Sequence, residues 1–114
     1  MVNFTKQFEA YSRTQNLVPE KKYVTASELL VNAADIIDNR ANERDKPNGE
    51  RSMKRCVDTF NAMTGHNLTE VDGWLFMQYL KHSRSREGAF RKDDYDDDIA
   101  YSALKAEAAI NGSK

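Results

Sequence analysis

Residues 50–86, ERSMKRCVDTFNAMTGHNLTEVDGWLFMQYLKHSRSR, constrain the fold more than any other stretch of the chain. They read as two helices joined by a tight turn at Thr64-Gly65-His66-Asn67. Met53, Cys56, Val57, Phe60 and Met63 recur at spacings of three and four, so they share one face of the first helix. Gly65 falls where a terminating residue takes positive φ, a conformation open to glycine because it has no Cβ. The second helix opens at Thr69, and Asp72 three residues on makes an acidic relative of the capping box. Its interior sets the problem. Val71, Trp74, Leu75, Phe76, Met77, Tyr79 and Leu80 point all around the axis, and a soluble helix apolar on all sides requires neighbours on all sides. The pattern predicts a spine helix surrounded by other helices and, because so short a chain covers it only in part, self-association.

The remaining elements are also helical in pattern. Thr25, with Glu28 completing a capping box, starts a helix whose apolar arc contains Leu29, Leu30, Ala33, Ala34, Ile36, Ile37 and Ala41. Pro47 and Asn48-Gly49 mark the following segment, 43–49, as a loop. A last helix runs from about Asp93 to Ile110, with Tyr95, Ile99, Ala103, Ala106 and Ile110 as its expected core face. Residues 1–24 form an N-terminal arm or short helix, because Phe4, Phe8 and Tyr11 share a face and Val18-Pro19 then opposes helix. The reading is therefore an all-α four-helix bundle over residues 25–114, preceded by that arm.

Charge narrows the function. A net charge of -1 argues against a dominant role on nucleic acid or an anionic membrane, although a local basic patch is compatible with it. The start, MVNFTKQFEA, is too polar for a signal peptide, and no run approaches the ~20 apolar residues of a membrane span. A cytoplasmic protein is the expectation. The single Cys56 lies on an apolar stripe and reads as a buried, inert thiol.

Candidate chemistry comes from charged residues in unusual places. Arg40 projects into the apolar arc of its helix, so its guanidinium must snorkel, pair with a carboxylate from elsewhere or meet an anion. Glu50 and Arg51 open the next helix, whose free N–H groups and positive dipole end suit a phosphate. Lys81 and Arg84 lie on one side of the spine helix and are placed to clamp a phosphate together. On the last helix Asp94, Asp98, Tyr101 and Lys105 line a face separate from the expected core face. Two carboxylates one turn apart match the needs of Mg²⁺, which takes one or two carboxylates together with waters and substrate phosphates. The helix dipole accounts for the neighbouring Asp93, Asp96 and Asp97 without a function.

A resemblance joins these residues. The runs R-x-x-E-R-D-K-P-x-G-E-R-S-M from Arg40, F-N-A-M-T-G from Phe60, W-L-F-M-Q-Y-L-K-H-S-R from Trp74 and D-x-x-x-D-x-x-Y-x-A-L from Asp94 resemble small phage-encoded proteins. Those proteins are grouped with the MazG-like all-α nucleotide pyrophosphohydrolases, and the likeness covers about residues 26–110. The E-E-x-x-E cluster of MazG-type enzymes is missing, and Asp35-x-x-Asp38 and Asp94-x-x-x-Asp98 are its nearest equivalents. The resemblance implies a phage protein of nucleotide metabolism, expressed in the bacterial host, that binds a (deoxy)nucleoside phosphate with Mg²⁺. Its chemistry would be pyrophosphate hydrolysis or the phosphoryl transfer of phage nucleotide kinases that lack a P-loop. Asp94 and Asp98 would hold the metal, and Lys81, Arg84, Arg40 and Arg51 would neutralise phosphate. Glu43, Asp45 or Glu50 would orient water. The alternative is a non-catalytic helical protein that binds or inhibits a host factor.

Overall fold

The computed structural model describes residues 23–44 and 51–112. Among them the chain forms four helices and no strand: α1 (Ala26–Arg44), α2 (Ser52–Thr64), α3 (Glu70–Ser85) and α4 (Lys92–Gly112). The arm at residues 1–22, together with Asp45 and Glu50, lies outside the described residues.

The helix boundaries follow the punctuation in the sequence. At the start of α1, Thr25 Oγ1 accepts a hydrogen bond from the Glu28 N–H at 3.1 Å. Gly65 ends α2 in the left-handed region, at φ 79, and its N–H donates to the Asn61 carbonyl at 2.8 Å. The α3 box is complete. The Asp72 N–H donates to Thr69 Oγ1 at 3.2 Å, and the Thr69 N–H donates to Asp72 Oδ2 at 2.9 Å. Between the two helices the Asn61 side-chain amide pairs with the Leu68 backbone in both directions, each bond 2.9 Å long. One short polar side chain thereby fixes the turn from α2 to α3.

Packing centres on α3 and α4, with α1 on α4 and α2 on α3. The α3–α4 pair is antiparallel, since contacts join 74 to 101, 78 to 98 and 81 to 97. Trp74, Tyr101 and Leu104 form the buried core, with Ile37 of α1, Met53 of α2, Met77 and Ala108 packed around it. The Trp74 and Tyr101 rings stack at a centroid distance of 5.6 Å, worth about 0.5–1.5 kcal/mol beyond the area they bury. Gly73 allows α2 close to α3, because a Cβ there would stand 3.0 Å from Val57 Cγ1.

The expected distribution of faces is corrected at three places. The spine helix α3 is not enclosed within the chain: Phe76 is 71% and Tyr79 57% exposed, while Gln78 and Lys81 take buried positions. The stripe 74, 77, 78, 81 faces α4 because Gln78 and Lys81 find acidic partners there. On α4 the two faces are exchanged. Asp94, Asp97, Ala100, Tyr101 and Leu104 are buried, whereas Tyr95, Ala103, Ala106 and Ile110 are exposed. Aspartates occupy a core face because cations from α1 and α3 meet them, so charge pairing outweighs apolar periodicity. On α2, Val57 is buried and Met53 half-buried, but Cys56 and Met63 are exposed, so the thiol is not a core residue.

Candidate functional site

The interface between α3 and α4 changes character along its length. It is apolar at Trp74, Tyr101 and Leu104, then turns polar toward the α3–α4 connection. At the first polar level the Gln78 Nε2 donates to Asp98 Oδ1 at 3.0 Å, and His82 Nε2 stands 3.1 Å from the same oxygen. One turn on, Lys81 Nζ donates to Asp97 Oδ2 at 2.8 Å and lies 3.7 Å from Asp93 Oδ2. Arg40 of α1 donates to the other Asp97 oxygen at 3.1 Å. Asp97 is therefore the hub that ties α1, α3 and α4 together. The side chains of Lys81 and Asp97 are only 7% and 10% exposed, so this ion pair is held away from solvent. Burial opposes the Lys81 ammonium. The hydrogen bond and charge of Asp97, helped by Tyr101 and Asp93, overcome it and hold the group above the ordinary lysine value.

At the end of the interface a cleft of about 370 Å³ is lined by Arg84, Glu87, Arg91, Asp93 and Asp94. Such a volume is within the range of small-molecule sites. Arg91 Nε donates to Asp93 Oδ1 at 3.4 Å. Partial burial raises the Asp93 carboxyl, but Arg91 and then Lys81 outweigh it and hold Asp93 below the usual carboxylate value. Two cleft residues differ from these. Asp94 is 4% exposed, yet among the described residues no ion pair or side-chain hydrogen bond joins it to another. Arg84 on the opposite side of the connection has none either. Elsewhere at this end, Lys92 Nζ donates to Asp96 Oδ2 at 2.7 Å, and Asp96 Oδ1 is buried with no partner.

The structure sorts the residues expected from sequence into separate environments. Arg84 and Asp94 share the cleft. Lys81, expected to meet phosphate, is placed in a buried ion pair with Asp97 and does not line the cleft. Arg40 takes the carboxylate-paired option, again through Asp97. Asp98 does not line the cleft beside Asp94; one of its oxygens is held by Gln78 and His82. Tyr101 belongs to the apolar core. Arg51 pairs with Glu107 of α4 at 3.0 Å on an exposed surface, and Glu43 is exposed near the end of α1, outside the cleft lining. Among the described residues no three His, Cys, Asp or Glu side chains gather to hold a metal ion. Sequence reasoning missed Asp97, Arg91 and Gln78. Arg40 carried the one available signal for Asp97, because a carboxylate opposite is one of the ways a guanidinium in an apolar arc is accommodated.

Taken together, the fold and this end of it define an all-helical protein with a charged cleft beside a buried ion-pair hub. Residues 28–109 match the model of a family described as Domain of unknown function (DUF6378), and the chain belongs to that family. No curated protein and no solved structure matches it. No described helix is long and apolar enough to cross a membrane.

Proposed function

We propose that the chain binds the phosphate groups of a nucleoside phosphate in the cleft lined by Arg84, Arg91 and Asp94, together with Mg²⁺. One observation supports the reading: the cleft holds a covered carboxylate, Asp94, and a guanidinium, Arg84, neither of which has a side-chain partner among the described residues. Buried charges are ordinarily paired or coordinate a metal, so an unpaired one facing a cleft supports an external partner. Arg84 suits a phosphate, which accepts two parallel hydrogen bonds from a guanidinium.

The donor set fits a cation that arrives with its phosphates. Mg²⁺ needs as few as one or two carboxylates when waters and phosphate oxygens supply the rest, and Asp94 provides one. Asp98, the second carboxylate of the pattern, stands outside the cleft lining, bonded to Gln78 and His82, so Asp94 is the carboxylate of that pattern the cleft supplies. When bound, the cation would neutralise charge developing on the phosphates. The chain's own residues would orient the phosphates through Arg84 and Arg91 and hold Asp94 rigidly on α4 through the Asp97 hub.

The likeness to MazG-like proteins supports a nucleotide as the phosphate carrier, in a phage setting. Hydrolysis to a monophosphate and transfer to an acceptor are distinguished by product analysis. A thermal-shift series with nucleoside mono-, di- and triphosphates, with and without Mg²⁺, tests binding. At a ligand concentration of 100 Kd the native state gains about 2.7 kcal/mol, readily seen as a higher midpoint. The expected result is a Mg²⁺-dependent rise that disappears in Arg84→Gln and in Asp94→Asn. A midpoint unmoved by every nucleotide would overturn the proposal.

A second reading, partner binding, is favoured by the exposed aromatic residues Phe76 and Tyr79 on α3 and Tyr95 on α4. A second copy of the chain is the occupant proposed, with a host protein as the alternative.

A further inference from the structure

Next to the core lies a second space, a cavity of about 140 Å³. Its walls include Ile37 of α1, Met53 of α2, Trp74 and Met77 of α3, and Ala100 and Tyr101 of α4. Arg40 also lines it, and its side chain is about half exposed, so the cavity meets the surface at a guanidinium. The size is informative. An apolar cavity of about 150 Å³ takes up benzene, a single six-membered ring, and stays dry without it. A fused two-ring purine is larger by an entire ring.

The chemistry of the walls adds to the size. Trp74 and Tyr101 offer flat aromatic surfaces already stacked on each other, and the aliphatic and thioether side chains around them present no polar group. Arg40 is the exception. Its guanidinium carries more N–H donors than the one given to Asp97, so it has donors left for an acceptor at the mouth. Apolar walls with one placed polar group are the usual make-up of a small-molecule site. The position relates it to the cleft: Arg40 meets Asp97 at 3.1 Å, Asp97 meets Lys81 at 2.8 Å, and Lys81 lies 3.7 Å from Asp93, which lines the cleft.

We propose that this cavity receives the single ring of a pyrimidine base, with a ring carbonyl accepting from Arg40. The base identity rests on the reading of the cleft as a nucleotide phosphate site. The cavity itself does not depend on that reading. The selectivity it imposes is steric, since the volume suits one ring.

Trp74 is the only tryptophan of the chain, so its fluorescence reports on the cavity directly. The experiment titrates the full chain with thymidine, cytidine, adenosine and guanosine, none of which carries a phosphate, and separately with tripolyphosphate and Mg²⁺, which carries no base. The expected result is saturable quenching by the pyrimidine nucleosides, roughly tenfold tighter than by the purine nucleosides, a difference of about 1.4 kcal/mol. Ala100→Val, which narrows the cavity by two methyl groups, should weaken that quenching while the helix content by circular dichroism is kept. Ile37→Ala, which lengthens the cavity, should admit the purine nucleosides. Equal binding of purines and pyrimidines to the parent, no quenching by any nucleoside, or unchanged quenching in Ala100→Val would each overturn the inference. Tripolyphosphate separates the two proposals. Binding of tripolyphosphate without pyrimidine preference rejects the cavity's role and leaves the cleft in place; pyrimidine binding without tripolyphosphate binding does the reverse.

Discussion

At the scale of single residues, the Lys81–Asp97 pair carries the largest expected effects. Removing one member of a buried ion pair costs about 3–5 kcal/mol, because the other charge is left uncompensated. Asp97→Asn should therefore lower the unfolding free energy from urea titration by that amount, while Asp97→Asn combined with Lys81→Met should recover most of it. Additive losses in the double variant would show that the two residues are not coupled. The pair also sets a pH dependence. The native state holds Lys81 above the ordinary lysine value of 10.5, so its contribution is complete below pH 10.5 and is lost as pH rises through the elevated native value. The thermal midpoint should fall in that alkaline window, and Lys81→Met should remove this fall. Part of this was legible in the sequence: a carboxylate was one of the partners open to Arg40, and Asp94 and Arg84 stood out as chemistry-bearing. The choice of Asp97 was not legible, because five aspartates crowd residues 93–98 and the helix dipole favours all those near its start. Only the register of α4 against α3 and α1 separates a capping aspartate from a buried one.

At the scale of elements, the caps were read correctly because their signals are local. Gly65 and the Thr69/Asp72 box need no tertiary information. Gly65→Ala should cost about 1–2 kcal/mol, the penalty for placing a Cβ in the left-handed region, and Thr69→Ala about 1 kcal/mol. Both are measurable by chemical denaturation, and unchanged midpoints would remove these caps from the account of the turn. Asn61 escaped notice because its partner, Leu68, lies seven residues away and is met through backbone groups. The faces of α3 and α4 were misassigned for a different reason. Periodicity ranks residues by hydrophobicity, so it placed Phe76 and Tyr95 inside and the aspartates outside. Cations on neighbouring helices reverse the preference, and periodicity within one helix contains no trace of them.

At the scale of the whole molecule, the all-α architecture was visible from helical spacing and short connections, whereas the arrangement around α3 was not. Exposed Phe76 and Tyr79 lead to a dimer or larger assembly as the expected mass by light scattering at micromolar concentration. Phe76→Ser with Tyr79→Ser should lower that mass to the monomer, and a monomeric parent would reject self-association. A last consequence comes from the place of α1, which packs on α4 and carries Ile37 and Arg40, two of the cavity's lining residues. Helices held on one side open independently of the global transition, and amide hydrogen exchange detects such partial opening. The amides of α1 should therefore exchange sooner than those of α3 and α4. Since the same helix forms part of the cavity wall, a ring bound there should slow exchange in α1 first.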